Sequence, residues 1–244
     1  MNKIPMESST NTSHAFTRVE LLACVVGGGL VLAVILPGLA NSSGRSDQAV
    51  CFNNLRQIGV AYANVGLETP AGRVPWRVPA AQGGTMDHPL KQNLFLQFSV
   101  LSNFLAHPGL LADPADDRRS LNPARNWGTT TGGLWNPNHQ NNAISYFLAL
   151  HGDFQMPRSL LAGDQNLATS GFGACSSGIS PASVLERNTA RWTNAVHGLT
   201  GNLLSFDGAV EQSDSNRLRD VVSLGQNETL GGGPFAMHIL VGFQ

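Results

Sequence analysis

The chain has 244 residues, 13% of them charged, and a formal net charge of −1. A chain with so little net charge has no strong basic field, which argues against nucleic acid as a partner. The charged fraction lies well below the roughly 25% of an average soluble protein. Its 27 glycines and 13 prolines favour a loop-rich body over a helical bundle.

A polar leader, residues 1–15, precedes a long apolar run. Residues 21–40 carry no charge, and as a helix they would span about 30 Å, the thickness of a bilayer's hydrocarbon core. A cleaved secretory signal is the alternative, although its apolar part is usually about 7–15 residues long. The run therefore predicts a transmembrane helix, with its membrane part at 19–40.

One carboxylate, Glu20, lies at the start of this run. A charge at membrane depth costs about 2.5–3.5 kcal/mol on insertion scales, so such a group usually has a partner and a function. Alternatively, Glu20 and Arg18 mark the membrane interface and extend their side chains to water. The two residues alone leave both interpretations open.

The N-terminal segment resembles that of type IV prepilins. The matching residues are a small residue, Phe, Thr, Glu and a proline within the apolar run: Ala15, Phe16, Thr17, Glu20 and Pro37. The resemblance implies that a prepilin peptidase cuts between Ala15 and Phe16 and methylates the new amine of Phe16. It also implies that Glu20 pairs with the terminal amine of a neighbouring subunit in an assembled filament.

A helical stripe follows the apolar run. Its five residues are spaced by four, three, four and three positions, which is typical of one helix face: Cys51, Leu55, Ile58, Tyr62 and Val65. Such a stripe predicts that the helix packs on a body. We therefore predict a single N-terminal helix over 16–66.

Turn signals dominate from about residue 67 onward. The run 94–105 predicts a short helix, and short apolar segments suit a modest antiparallel sheet: 143–150, 158–162, 202–206 and 238–243. The Asp-Gly pair within 202–212 predicts a hairpin. The predicted fold is α+β and pilin-like, a long transmembrane helix packed on a small antiparallel β-sheet body, with 67–244 as the exported globular domain.

His197 precedes the pair Asp207-Gly208 by ten residues. His197 and Asp207 could form a metal site or an acid–base pair, but the sequence offers no evident third ligand or nucleophile. A turn at Asp207 with a hydrogen-bonding His197 is the structural alternative. The same spacing resembles a His-x9-Asp-Gly motif of a large group of prepilin-like proteins. Four further stretches resemble that group: 51–57, 113–116, 142–147 and 162–166. At the position of Asp113 the group has a cysteine.

The remaining candidates are cysteines and possible calcium ligands. In an exported compartment Cys51 and Cys175 could form a disulfide, or both could be reduced. Asp164 and Asn166 are weak candidates for calcium because their oxygens are hard ligands, although a turn explains them as well. No cofactor or metal is predicted.

Together these features predict a pseudopilin structural subunit of a type II secretion or type IV pilus-like assembly, and not an enzyme. The predicted location is the inner membrane, single-pass, with the C-terminal domain periplasmic or extracellular. The predicted partners are the prepilin peptidase, other pilin-like subunits and the inner membrane. The alternatives are a membrane-tethered binding protein that does not polymerise and an exported hydrolase that uses His197 and Asp207.

Overall fold

The computed structural model describes most of the chain in two compact units, Met1–Ser43 and Gly44–Gln244. The described residues are 17–120, 122–173, 175, 179–227 and 236–242, without the side chains of 32–45, 225–227 and 236. The predicted leader and the predicted cleavage site between Ala15 and Phe16 lie outside the described residues.

The first helix, α1, spans Arg18–Glu68 and belongs to both units. It begins with a capping box, in which two residues satisfy each other's backbone N–H groups. The Thr17 N–H donates to the Glu20 carboxylate at 2.9 Å, and the Glu20 N–H donates to Thr17 Oγ1 at 3.3 Å. The remaining α-helices are short: α2 (Leu94–Ser99), α3 (Asp117–Ser120) and α4 (Ser215–Asn227).

Single turns of 3-10 helix occupy much of the chain between these helices. Several begin with proline, whose fixed φ suits the first position of a helix. They are Pro70–Gly72, Pro75–Arg77, Ala80–Gln82, Val100–Asn103, Pro108–Leu111 and Gln140–Ala143. The predicted helix at 94–105 is confirmed as α2 followed directly by one of these turns.

A seven-stranded sheet forms the centre of the body, in the order β4-β5-β9-β1-β2-β7-β8. Every neighbouring pair in it is antiparallel. A two-stranded sheet pairs β3 with β6. The strands are β1 (Tyr146–Ala149), β2 (Leu160–Asp164), β3 (Leu167–Ala168), β4 (Gly171–Gly173), β5 (Ala182–Glu186), β6 (Arg191–Trp192), β7 (Gly201–Ser205), β8 (Val210–Ser213) and β9 (Ala236–Leu240).

The four predicted apolar segments supply β1, β2, β7 and β9, so these strand predictions are confirmed. The predicted hairpin is also confirmed, because β7 and β8 pair with Leu204 opposite Val210 and Gly201 opposite Ser213. Its turn contains Gly208 at φ +81°, a left-handed conformation that favours glycine.

Alternate residues of β1 point to opposite faces of the sheet, as the pleat requires. Tyr146 and Leu148 pack in one cluster with all five residues of the predicted stripe on α1. Phe147 and Ala149 pack in a second cluster that includes residues of α4. The stripe is buried throughout, so the prediction that this part of α1 packs on the body is confirmed.

The predicted fold class, a long transmembrane helix on a small antiparallel sheet, is wrong. The body is instead built on a seven-stranded antiparallel sheet with short helices. The sheet is larger than predicted because short segments that sequence periodicity did not reveal, such as β4 and β5, extend it.

Among the residues whose side chains are described, no helix is long and apolar enough to cross a membrane. The predicted single-pass location in the inner membrane is therefore not supported. Part of the predicted membrane segment, 32–40, lies outside the described side chains.

Candidate functional site

Four side chains from distant parts of the chain meet inside the body. They come from α1, the loop after Pro108–Leu111, the end of β2 and the loop before β7: Cys51, Asp113, Asp164 and His197. Their sulfur, nitrogen and oxygen atoms all lie within 4.8 Å of one another. Cys51 and Asp113 are 0% exposed and Asp164 is 1% exposed, and the side chain of His197 is 4% exposed. We refer to these four residues as the Cys51 cluster.

One half of the Cys51 cluster is organised by Asp164. The Cys51 thiol donates to Asp164 Oδ1 at 2.9 Å. The backbone N–H and the side-chain Nδ2 of Asn202 donate to Asp164 Oδ2 at 2.7 and 3.0 Å, and Asn202 Nδ2 also lies 3.3 Å from Cys51 Sγ. Asn202 is in β7, the neighbour of β2 in the sheet, so strand pairing fixes this arrangement.

The other half joins His197 to the carboxylates. His197 Nε2 lies 2.7 Å from Asp113 Oδ2 and 3.6 Å from Asp164 Oδ2. Asp113 Oδ1 accepts from the Ala115 N–H at 2.9 Å, which orients the carboxylate toward the histidine. The imidazole therefore bridges two carboxylates that are remote in sequence.

The loop that carries His197 is held in a tight reversal. Gly198 and Leu199 both have left-handed φ angles, +58° and +60°. The Thr200 hydroxyl donates to the His197 carbonyl oxygen at 2.7 Å. A left-handed conformation costs little at Gly198 but is unfavourable for leucine, so the surrounding contacts determine how His197 enters the cluster.

Burial and mutual charge determine the protonation of the Cys51 cluster. Burial raises the pKa of Asp164 to about 6, and the charge of Asp113 adds to this increase. Burial, followed by the charges of Asp164 and Asp113, also raises the pKa of the Cys51 thiol. Burial alone would lower the pKa of His197. The hydrogen bond and charge of Asp113, together with the charges of Asp164 and Asp47, outweigh burial, so the pKa of His197 is raised. The cluster therefore favours a protonated thiol and a protonated imidazole.

The two residues of the His-x9-Asp-Gly spacing have different surroundings. His197 bonds to Asp113, whereas Asp207 Oδ1 accepts from the Ala209 N–H at 3.0 Å in the turn between β7 and β8. Asp207 also lines a surface cavity of about 450 Å³ beside Glu211 and Arg217. The spacing thus combines a histidine of the buried cluster with a turn on the surface.

Asp164 and Asn166, the weak calcium candidates, also face different groups. Asp164 belongs to the Cys51 cluster, whereas Asn166 Nδ2 donates to the carbonyl oxygens of Thr193 and Thr200 at 3.1 and 2.9 Å. Asn166 therefore holds the loop that delivers His197.

Glu20, the predicted assembly residue, is bonded within its own chain. The Thr17 hydroxyl donates to Glu20 Oε2 at 3.0 Å, in addition to the Thr17 N–H. The backbone donor, followed by the hydroxyl, lowers the pKa of Glu20. Glu20 therefore stabilises the start of α1 as an anion.

Cys51 and Cys175 are not joined by a disulfide. Cys175 lies instead with His151 and His238, and the sulfur and ring nitrogens of these three residues are also within 4.8 Å of one another. The two imidazoles are hydrogen-bonded to each other, with His238 Nδ1 2.9 Å from His151 Nε2. We call these three residues the His151 group.

We expect the His151 group to make the stability of the protein depend on pH. Burial, helped by His238 and Arg77, lowers the pKa of His151 to about 4, while an unfolded histidine has a pKa of about 6.5. The unfolded chain therefore binds more protons between these values, and stability is lost as the pH falls through this range. Urea unfolding with a chelator present should show that acidification from pH 7 to about 4.5 costs wild type on the order of 2 kcal/mol more than His151→Gln. Equal losses in the two proteins would contradict this.

Sequence reasoning missed Asp113 and Asn202 as members of one site. The signal for Asp113 was present, because it occupies the position where the resembling group has a cysteine, and the structure places it in the same cluster as Cys51. Asn202 gave no signal, because its role follows from strand pairing between β7 and β2.

Comparisons of this chain with protein-family models, with curated proteins and with solved structures find no match.

Proposed function

We propose that the chain is a pseudopilin-type structural subunit that assembles through the apolar first part of α1, residues 19–31. The other components of this proposal come from the resemblance to type IV prepilins. A prepilin peptidase would release Phe16 as the new N-terminus, and other pilin-like subunits would supply the neighbouring helices. The body would work outside the cytoplasm, in the periplasm or beyond, in a type II secretion or type IV pilus-like assembly.

The observation that carries the proposal is the exposure of large apolar side chains along this part of α1. Each is more than half exposed: Val19, Leu21, Leu22, Val25, Val26, Leu30 and Val31. At about 100° per residue, these side chains point in every direction around the helix. A helix that is apolar all round is normally buried on all sides, so a single flat partner would leave much of it in water.

Copies of the same segment fit this surface best. Several neighbouring helices can surround one helix, and van der Waals packing between apolar helices then replaces contact with solvent. Arg18 and Glu20 lie two residues apart at the start of the segment, so staggered copies could pair opposite charges. The proposed pairing of Glu20 with a neighbouring amine would compete with its bond to Thr17.

Crosslinking through Cys24 tests the assembly. Cys24 is exposed within the segment, whereas Cys51 and Cys175 are buried. Because Cys24 is the exposed thiol of the three, a bis-maleimide can join at most two chains. Bis-maleimides of increasing length, applied to the native full chain in its own cells, are therefore expected to produce a crosslinked dimer on a denaturing gel. Peptide masses from this band report whether the chain begins at a methylated Phe16.

Matched variants show whether the crosslinked dimer forms through the apolar segment. Leu22→Glu should abolish the dimer, because a charge then replaces an apolar contact between helices. Leu67→Glu should not, although Leu67 is also strongly exposed. Glu20→Gln should lower the yield of dimer, since it keeps an oxygen that can cap α1 but removes the charge. Cys24→Ser removes the reactive thiol and must abolish the dimer. A wild-type chain that stays monomeric with every crosslinker length would refute the proposal.

A further inference from the structure

We propose that the Cys51 cluster is a zinc site, in which Cys51 Sγ, His197 Nε2 and one oxygen each from Asp113 and Asp164 bind the ion. This inference stands on the body alone and does not depend on the proposed function.

The donor set of the Cys51 cluster selects among metals. Zinc binds thiolate, imidazole and carboxylate, and its structural sites use four protein ligands with no open position. Calcium and magnesium use oxygen ligands, so the sulfur of Cys51 and the nitrogen of His197 disfavour both. Four buried donors of these three kinds therefore match a closed zinc site.

The spacing of the donor atoms fits zinc without a change of fold. Zinc–ligand distances of about 2.0–2.3 Å place the corners of a tetrahedron about 3.4 Å apart. His197 Nε2 lies 2.7 Å from Asp113 Oδ2 and 3.6 Å from Asp164 Oδ2, and Cys51 Sγ lies 2.9 Å from Asp164 Oδ1. All four groups are within 4.8 Å, so small side-chain movements suffice to surround an ion.

Asn202 provides a second, independent indication of a ligand. Its side chain is 1% exposed, and its Nδ2 donates to both Cys51 Sγ and Asp164 Oδ2. Donors of this kind orient and stabilise the negatively charged ligands of metal sites. Within the described part of the chain, Asn202 Oδ1 is buried without a hydrogen-bond partner, so this amide brings an unsatisfied oxygen to the same place.

The charge of the cluster also favours a cation. Two carboxylates are buried side by side, and buried charges are costly unless they are paired or bind a metal. Within the cluster, His197 alone can become a cation. Zinc binding would release the thiol proton of Cys51 to solvent, as metal binding to thiols generally does. The divalent ion would then compensate both carboxylates and the thiolate more completely than one imidazolium does.

A zinc ion would tie together four parts of the body that are far apart in sequence. Cys51 lies on α1, Asp113 in the loop after Pro108–Leu111, Asp164 at the end of β2 and His197 in the loop before β7. Because the unfolded chain has no preformed site, the binding free energy contributes to folding. The ion would thus act as a structural staple between α1 and the sheet.

Metal substitution with Co²⁺ tests this site in the purified full chain. After treatment with a chelator, one Co²⁺ per chain is expected to bind and to produce thiolate-to-cobalt charge-transfer absorption. Cys51→Ser should lose that absorption, and Cys24→Ser should keep it. In competition titrations Asn202→Ala should bind Zn²⁺ about 10–100-fold more weakly. Asp113→Asn should lose at least as much, because it removes a ligand.

His238→Gln separates this site from the His151 group, and it should leave the Cys51-dependent absorption and one equivalent of Zn²⁺ intact. Far-ultraviolet circular dichroism of each variant confirms that it folds. If a folded Asp113→Asn chain binds Zn²⁺ as tightly as wild type, or if wild type binds no Zn²⁺ after chelation, the assignment is wrong. Loss of the absorption in His238→Gln but not in Cys51→Ser would likewise overturn it.

Discussion

Replacement of Trp76 by alanine is expected to lower the free energy of unfolding of the body by about 3–5 kcal/mol, the usual cost of removing a large buried aromatic side chain. Trp76 is 0% exposed. Its ring packs edge-on against Tyr62 of α1, with ring centroids 6.0 Å apart, and its Nε1–H donates to the carbonyl oxygen of Leu150 at 3.3 Å. The side chain therefore joins α1 to the residue that follows β1. Its loss leaves a cavity, and it leaves the Leu150 carbonyl oxygen with Arg77 Nη2, at 3.4 Å, as its side-chain donor.

The chain offers a matched control for the hydrogen-bond part of this loss. Trp127 is half-buried, and its Nε1 is a buried donor without a partner in the described part of the chain. Trp76→Phe removes a satisfied N–H and should cost about 1 kcal/mol or more beyond packing, whereas Trp127→Phe removes an unsatisfied one and should be nearly neutral. Urea unfolding at neutral pH measures both changes. Equal losses in the two variants would show that the bond to Leu150 contributes nothing.

The parts of the fold that sequence predicted are those that local patterns encode. The stripe from Cys51 to Val65 repeats with the period of a helix, and every member is buried. The pair Asp207-Gly208 encodes a hairpin turn because both positions tolerate the backbone conformations that such turns require. In both places local spacing or turn chemistry was enough to predict the structure.

The size of the sheet could not be predicted in the same way. β4, Gly171–Gly173, has only three residues, two of them glycine, and it is a strand because β5 pairs with it. β5, Ala182–Glu186, carries two polar residues, Ser183 and Glu186, and is paired on both sides, to β4 and to β9. Strands of this kind form because neighbouring strands pair with them, and the apolar–polar pattern of their own sequence does not reveal them.

The candidate site was predictable only in pieces. His197, Asp164 and Cys51 each attracted attention separately, as a motif residue, a calcium candidate and a disulfide candidate. Their convergence requires α1, β2 and the loop before β7 to be placed together, which depends on contacts between residues more than 100 positions apart. Spacing along the chain carries no information about such distances.

Substitution of Gly163 by alanine is expected to damage both the sheet and the Cys51 cluster. A Cβ atom there would lie 2.7 Å from the carbonyl oxygen of Asn202 and 2.7 Å from the ring of Phe147. Gly163 is in β2, which pairs with β1 on one side and β7 on the other, so neither neighbour can yield easily. Overpacking of this kind typically costs about 1–3 kcal/mol and occasionally more, and we expect the upper end of this range.

The same change at Gly59 is the control. A Cβ atom there would meet the methyl end of Leu204 at 2.9 Å, which can rotate away, and alanine is favoured over glycine within a helix by up to about 1 kcal/mol. The net change for Gly59→Ala should therefore stay within about 1 kcal/mol of wild type. If Gly163→Ala proves equally mild, the close contact of β2 with Asn202 does not constrain the sheet.

Metal binding then distinguishes a general loss of stability from a local change at the site. Gly163 immediately precedes Asp164, whose Oδ2 accepts two hydrogen bonds from Asn202. Moving β2 away from β7 separates these groups, so Gly163→Ala should weaken Zn²⁺ binding while the chain is still folded. Gly59 lies on α1, and its new methyl group meets β7 only at the flexible side-chain end of Leu204, so Gly59→Ala should bind Zn²⁺ like wild type. Because both substitutions add one methyl group, a difference between them in metal affinity would reflect the spacing of β2 and β7.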